Sequence, residues 1–194
     1  MARDLEKQYR RNKLLMAFFI IGIMLLSSFA FVINYYSTSN DGTATKVDYN
    51  GYKFDIDQNG IYQTNYNGQV VQLYNNPKNI ESINLNNIIF NTNKVYLAYN
   101  FSENDQSILL DINRVKYAFA LKGIISNPSC IEAKDCPDLP VTDCNLDFDI
   151  IYFKTSQTQN YTITKENNCD VIEADPITMN KITDKMILRI LGIA

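Results

Sequence analysis

The sequence contains no histidine among its 194 residues. Histidine is the general base of the Ser-His and Cys-His nucleophile systems and a frequent ligand of catalytic zinc. Its absence excludes those classes of hydrolase. Glycine is also scarce, with seven residues, and no Gly-rich loop suited to phosphate occurs. The sequence predicts no catalytic residue, no metal site and no cofactor.

Charge is missing from residues 14–33, which form an uninterrupted run of 20 uncharged, mostly apolar residues. A helix rises about 1.5 Å per residue, so this run covers about 30 Å, the thickness of the hydrocarbon core of a bilayer. We therefore predict a transmembrane helix over residues 14–33. The basic tail over residues 1–13 precedes it.

Lysine and arginine are absent between Ile33 and Lys46, whereas five basic residues precede the apolar run: Arg3, Lys7, Arg10, Arg11 and Lys13. The positive-inside rule then leaves the N-terminus in the cytoplasm and the C-terminal domain outside, on a single-pass anchor in the cell membrane. A cleaved signal peptide is the alternative, because Ser28 and Ala30 are small residues that suit a cleavage site. Signal peptides usually carry only about 7 to 15 apolar residues, so we favour an uncleaved signal-anchor.

Basic residues are in deficit beyond the apolar run. The chain has 18 Lys and Arg and 21 Asp and Glu, of which 13 and 19 follow Ile33, giving that part a net charge of −6. Binding to nucleic acid requires clustered basic residues that neutralise phosphates, so nucleic acid is excluded as a partner. The expected partners are the lipid bilayer, through residues 14–33, and another envelope protein or a surface polymer.

Short polar residues over 34–45 predict a flexible stalk, and the exported domain is expected over residues 46–194. Asn-Gly pairs begin at Asn50, Asn59 and Asn67, and this pair tolerates the positive φ angles of a type I′ hairpin turn. The segments between them alternate in polarity, as in the set Tyr52, Phe54 and Ile56. They predict a β-meander that continues through residues 69–74.

Two amphipathic helices are predicted after a further strand over residues 94–99. The first has a capping box of Ser102 and Asp105 and ends near Gly123; the second begins after Asp175 and ends before Gly192. Strands are expected over residues 147–154, 159–164 and 169–174. The resulting fold class is α+β: an N-terminal transmembrane helix, then one exported domain with a mainly antiparallel sheet and two packed helices.

The stretch DIDQNG, residues 55–60, matches the first half of a calcium-binding loop. An EF-hand loop also needs flanking helices and a carboxylate at its twelfth position, where this chain has Tyr66. The flanks here alternate like strands. We therefore interpret the stretch as a tight turn, with calcium binding as the alternative.

All four cysteines lie on the predicted exported side: Cys130, Cys136, Cys144 and Cys169. An even number in an oxidising compartment predicts two disulfides. Zinc is the alternative, but there is no C-x2-C pair and no histidine. Three pairings are open to four cysteines; we favour Cys130 with Cys136 and Cys144 with Cys169.

Acidic residues and sequons give two further candidate sites. Asp143, Asp147 and Asp149 lie close in sequence, and a pocket that joined them with Asp135 would suit acid–base chemistry. Their alternation with Phe148 and Ile150 instead indicates a solvated strand face. The sequons at Asn100 and Asn160 are possible glycosylation sites.

This layout resembles small single-span membrane-anchored archaeal envelope proteins of unknown function. The likeness is carried by YNGYKF at residues 49–54, by DCPDLPVTDC at 135–144, and by the closing segment over 168–192. It implies the anchor, an exported α+β domain and a disulfide-stapled loop. It implies no activity.

Together these features predict a non-enzymatic membrane-anchored envelope protein with an extracytoplasmic domain that binds a protein or polymer. The alternatives are an exported carboxylate-dependent hydrolase or isomerase, and a subunit of a larger membrane complex.

Membrane topology provides the first test. A protease added to intact cells should remove residues 46–194 and spare residues 1–13, because only the domain is expected outside. Antibodies against each end of the chain, with detergent-permeabilised cells as the control, read out the cleavage. Protection of the C-terminal end in intact cells would contradict the predicted orientation.

Overall fold

A computed structural model of the protein describes residues 46–85, 88, 92–103, 105–158 and 160–194. The chain divides into two compact units, Met1–Ala44 and Thr45–Ala194, and the described residues belong to the second. Within the described residues, no helix has the length and apolar character that a membrane crossing requires. The predicted tail, transmembrane helix and stalk lie outside the described residues.

The first four strands form an antiparallel meander in which neighbours in sequence are neighbours in space: β1 (Lys46–Tyr49), β2 (Tyr52–Ile56), β3 (Tyr62–Tyr66) and β4 (Gln69–Leu73). Two of its turns are the Asn-Gly pairs that begin at Asn50 and Asn67. In both pairs Asn and Gly have positive φ angles, as a type I′ turn requires. The predicted meander is confirmed.

The DIDQNG stretch forms the turn between β2 and β3. Of its Asn-Gly pair only Gly60 has a positive φ, of 78°, so this turn is longer than the other two. Asp57 Oδ1 accepts hydrogen bonds from the backbone N–H of Asn59 (2.8 Å) and Ile61 (2.9 Å), and Oδ2 accepts one from Gln63 (3.2 Å). The turn interpretation is confirmed, since the hairpin itself uses both carboxylate oxygens.

A second sheet of five strands contains β5 (Lys94–Tyr99), β6 (Ile125–Cys130), β7 (Asp149–Thr155), β8 (Thr162–Glu166) and β9 (Cys169–Ala174). Their order is β6-β5-β7-β9-β8, and all neighbours are parallel except β8 and β9. The structure thus has an antiparallel sheet and two helices, as predicted, but not one mainly antiparallel sheet. Long crossovers after β5 and β6 return the chain to the end of the sheet at which the preceding strand began, and β5, β6 and β7 are therefore parallel.

Strand β6 is not among the strands that the sequence predicted. Its sequence ISNPSC contains Pro128, which argues against a central strand. The structure places β6 at the edge of the sheet, where a proline is tolerated.

Helix α1 spans Gln106–Leu121 and helix α2 spans Pro176–Leu191. Asp175 caps α2 by accepting from the backbone N–H of Ile177 and Thr178, and Gly192 ends the helix, as predicted. The α1 cap differs from the capping-box prediction. Asp105, not Ser102, is the N-cap, and its side chain accepts from the backbone N–H of Ser107 (2.9 Å). Ser102 instead lies in a short 3₁₀ turn, Phe101–Glu103.

One continuous apolar core joins both sheets and both helices. The meander contributes Phe54 and Leu73, α1 contributes Phe119, and the second sheet contributes Leu97 and Phe153, all fully buried. Burying each such side chain stabilises the fold by about 1.5 to 3 kcal/mol. The helix pair contacts both sheets, so neither sheet depends on its own strands alone for a core.

The other face of the second sheet carries a smaller apolar cluster centred on Ala98, Ile150 and Val171. The loop over residues 131–148 lies against it and is fastened at both ends. Cys130 is bonded to Cys136, and Cys144 to Cys169, which is the pairing we favoured. The two disulfides hold an irregular segment onto the sheet.

The two disulfides close loops of different length, with sequence separations of 6 and 25. Loop-closure entropy then predicts losses of about 2 kcal/mol for the Cys130→Ser, Cys136→Ser variant and about 3.5 kcal/mol for the Cys144→Ser, Cys169→Ser variant. Urea titration of both double variants beside the oxidised parent measures this difference.

Intact mass under non-reducing conditions is the control for that comparison. The parent should weigh about 4 Da less than its reduced form, because each paired thiol loses one hydrogen. Four free thiols would contradict both disulfides, and a larger loss for the short loop would contradict the entropic ranking.

Candidate functional site

Five polar residues meet where β4 ends against the two helices, and we call them the polar cluster: Asn75, Asp111, Arg114, Asn180 and Asp184. Asp184 on α2 is fully buried. Its Oδ2 accepts hydrogen bonds from the backbone N–H of Tyr74 (2.9 Å) and Asn75 (2.7 Å), and from the Asn75 side chain (2.8 Å). Its Oδ1 accepts from Arg114. Asp184 therefore links the meander to both helices.

Arg114 occupies the centre of the polar cluster. Its guanidinium pairs with Asp184 and with Asp111, the latter at 3.0 Å, and it donates to the backbone carbonyl of Gln72 (3.4 Å). The ring of Tyr74 lies over the guanidinium, with 4.1 Å between the guanidinium carbon and the ring centroid. These contacts satisfy a charge that burial would otherwise make costly.

Two carboxylates share one guanidinium here, and burial opposes the charge on both. Burial raises the pKa of Asp111 to about 6, against the opposing effect of Arg114 beside it. Burial likewise raises the pKa of Asp184. Asn180 donates to Asp111 (3.1 Å) and accepts from Asn75 (2.8 Å), which completes the hydrogen bonding between them.

A groove runs beside the polar cluster between β4 and α1, and we call it the β4 groove. Its volume is about 240 Å³. Val70, Gln72 and Tyr74 line one wall, and Arg114, Tyr117 and Leu121 line the other. Val70 is 53% exposed, Tyr117 44% and Tyr74 40%, so large apolar side chains face solvent on both walls. Adjacent exposed apolar side chains of this kind are typical of binding surfaces.

The acidic residues considered for catalysis lie on the stapled loop and at the start of β7. Asp135, Asp143 and Asp147 are exposed, and Asp149 is half-buried. Asp143 accepts from the backbone and side chain of Asn145, as in a local turn. Within the described residues, no three acidic or cysteine side chains gather as a metal-binding group.

The two sequons differ in their surroundings. Asn160 is exposed in the loop before β8. Asn100 is half-buried, and its side-chain oxygen accepts from the backbone N–H (3.1 Å) and the hydroxyl (2.7 Å) of Ser102. Asn160 is thus the more accessible of the two side chains.

Sequence reasoning missed both the polar cluster and the β4 groove. Asp111 and Arg114 are three residues apart on a helix, as are surface ion pairs, and nothing local distinguishes them from such pairs. One signal was present in α2: Asn180 and Asp184 share a helical stripe with the apolar Ile187 and Leu191. A polar pair within a buried stripe indicates polar partners elsewhere in the fold.

Comparison with known proteins returned no matching family model, no matching curated protein and no matching solved structure.

The raised pKa of Asp111 predicts how stability depends on pH. Because the folded pKa, about 6, exceeds the ordinary value of 3.8, the neutral form is favoured on folding. That contribution is complete below about pH 4 and is lost as the pH rises through about 6. Asp111→Asn keeps the group neutral, so between pH 4 and pH 7 it should gain about 2 to 3 kcal/mol relative to the parent.

Urea titrations of both proteins across this pH range measure the gain. Asp147→Asn, which removes an exposed acid from the loop, is the matched control for a general loss of negative charge. A difference between Asp111→Asn and the parent that does not change with pH would contradict the raised pKa.

Proposed function

We propose that this chain is a membrane-anchored protein of the cell envelope whose exported domain binds another protein or a surface polymer in the β4 groove. The domain acts without catalysis. The residues that carry binding are those of the two walls, with Val70 and Tyr74 on one side and Tyr117 on the other.

Support for the envelope location comes from the chain itself. The uncharged run over residues 14–33 follows a basic tail, and the part beyond it is acidic. Both disulfides in the domain suit an oxidising compartment. An acidic, disulfide-bonded domain behind a single span is an arrangement suited to the outer side of a membrane.

The groove is the observation that carries the binding proposal. Solvent exposure of a large apolar side chain is common, but here three such side chains line one concavity beside a buried ion pair. The polar cluster fixes the end of β4 through Asp184, so the groove is held in shape before a partner arrives. A preformed site loses less conformational entropy on binding.

Site-specific photo-crosslinking tests this proposal in intact cells. A photoreactive phenylalanine replaces Tyr117 in the full chain, and a second variant carries it at Phe148, which is equally exposed (47%) but lies on the stapled loop. The Tyr117 position should yield a discrete adduct of higher mass, because a partner fills the groove. Both variants must reach the membrane in equal amounts.

The comparison of the adducts formed from positions 117 and 148 decides the outcome. No adduct from position 117, or the same adducts from position 148, would contradict a partner in the β4 groove. Protease treatment of the intact cells shows whether the adduct lies outside.

A further inference from the structure

We propose that the partner contributes an extended polypeptide segment, which pairs with the outer edge of β4 and becomes a fifth strand of the meander sheet. This inference rests on the proposed function and specifies its partner. The binding mode is strand addition, in which backbone hydrogen bonds supply affinity and side-chain pockets supply selectivity.

The four sheet edges differ in how they are protected against such pairing. Charged residues, proline and short length are the usual devices that prevent a strand from joining an exposed edge. Of the edge strands in the described sheets, β1 (KVDY) and β8 (TITKE) carry charges, and β6 (ISNPSC) carries Pro128. Strand β4, with the sequence QVVQL, has neither a charge nor a proline.

The direction of the backbone groups on β4 follows from its hairpin. The two-residue turn makes Tyr66 and Gln69 a hydrogen-bonded pair, so the N–H and C=O groups alternate along the strand from there. The backbone N–H and C=O groups of Val71 and Leu73 therefore point toward β3, and those of Val70 and Gln72 point away from it, toward the open edge. Arg114 donates to the Gln72 carbonyl, which agrees with this assignment.

The polar cluster already occupies the positions that a longer partner strand would take. Asp184 accepts from the Tyr74 N–H, and Arg114 donates to the Gln72 carbonyl. Three outward groups remain without a hydrogen bond to any described residue: the N–H and C=O of Val70 and the N–H of Gln72. An extended peptide supplies a complementary donor and acceptors at this spacing, whereas a sugar polymer has no such repeat.

Charge around the β4 groove selects the composition of that peptide. None of the described lining residues is acidic, and the nearby carboxylates of Asp111 and Asp184 are both paired with Arg114. Lys122 follows the lining residue Leu121 in sequence, and its Nζ lies 3.4 Å from the Tyr66 hydroxyl. The partner is therefore an extended segment with an apolar side chain for the groove and a carboxylate for Lys122.

The test uses the full chain in detergent and random peptides of about nine residues displayed on phage, a length that matches a strand. Enriched peptides are synthesised and their affinities measured. On peptide binding, hydrogen exchange at the Val70 and Gln72 amides should slow by about tenfold or more, because both become hydrogen-bonded. The amide of Val71, which already pairs with β3, is the internal control.

Proline substitutions at the two edges of the meander sheet test whether the peptide pairs with β4. Val70→Pro removes an outward N–H without removing a bond to β3, and it should weaken peptide binding by about tenfold or more. Asp48→Pro removes an outward N–H from β1, the opposite edge of the same sheet, and should leave peptide binding within about twofold of the parent. Val70→Lys gives a second disruptive variant if the proline variant does not fold, since an edge lysine blocks pairing.

The results that overturn the inference are specific. Peptide binding that survives N-methylation of every peptide amide would show contact through side chains alone. Binding that survives both Val70→Pro and Val70→Lys in the chain would show the same. A dimer of the chain that Val70→Pro abolishes would keep strand addition but make a second copy the occupant, which overturns the proposed partner. If position 117 still yields a crosslinked adduct in cells, binding through side chains alone rejects strand addition and leaves the proposed function standing. Without that adduct, both fail.

Discussion

The carboxylate of Asp184 is the contact on which the arrangement of this domain depends. It lies in a helix yet accepts from two backbone amides at the end of β4, and it pairs with Arg114 of the other helix. A buried carboxylate is tolerated only when its hydrogen-bonding capacity is used, and here Asp184 of α2 finds its partners in Tyr74 and Asn75 at the end of the meander and in Arg114 of α1. The position of the first sheet on the helices is thereby set by one side chain.

That contact also explains why the surface beside it is open. Arg114 and Asp184 satisfy the last outward groups of β4, so the strand needs no further neighbour at that end. Before that point the edge of β4 and the exposed ring of Tyr117 face each other across the groove. On the second sheet, the face turned away from the main core is covered by the disulfide-stapled loop.

Local features of the fold were predictable from the sequence because they depend on neighbouring residues. The Asn-Gly turns, the Asp175 cap and the apolar stripe of α1 each follow from a few adjacent side chains. The order of the five-stranded sheet was not predictable, because it depends on which distant strands pair. Strand β6 illustrates the point: Pro128 indicates a loop until the sheet places that strand at an edge.

The candidate site was not predictable from the sequence, because it too depends on contacts between distant residues. An aspartate in a helix usually faces solvent, and only the tertiary structure brings Asp184 to Tyr74 and Asn75, which precede it by about 110 positions. The cysteines, by contrast, were informative, since their even number predicted two disulfides, and the observed pairing is the one that we favoured among three. Capping at the start of α1 shows a limit even to local reasoning, because Ser102 and Asp105 both suit the role.

The same sequence separation has a consequence for the order of events during synthesis. The meander leaves the ribosome first, and Asp184 follows Tyr74 by 110 residues. At about 5 to 20 residues per second, an interval of about 5 to 20 seconds passes before α2 exists. During that interval the uncharged β4 edge and the apolar face of the meander lack α2, and α1 is present only for the later part of it. Several nascent chains translated from one messenger RNA expose this edge at the same time. A chaperone is therefore most useful at this stage.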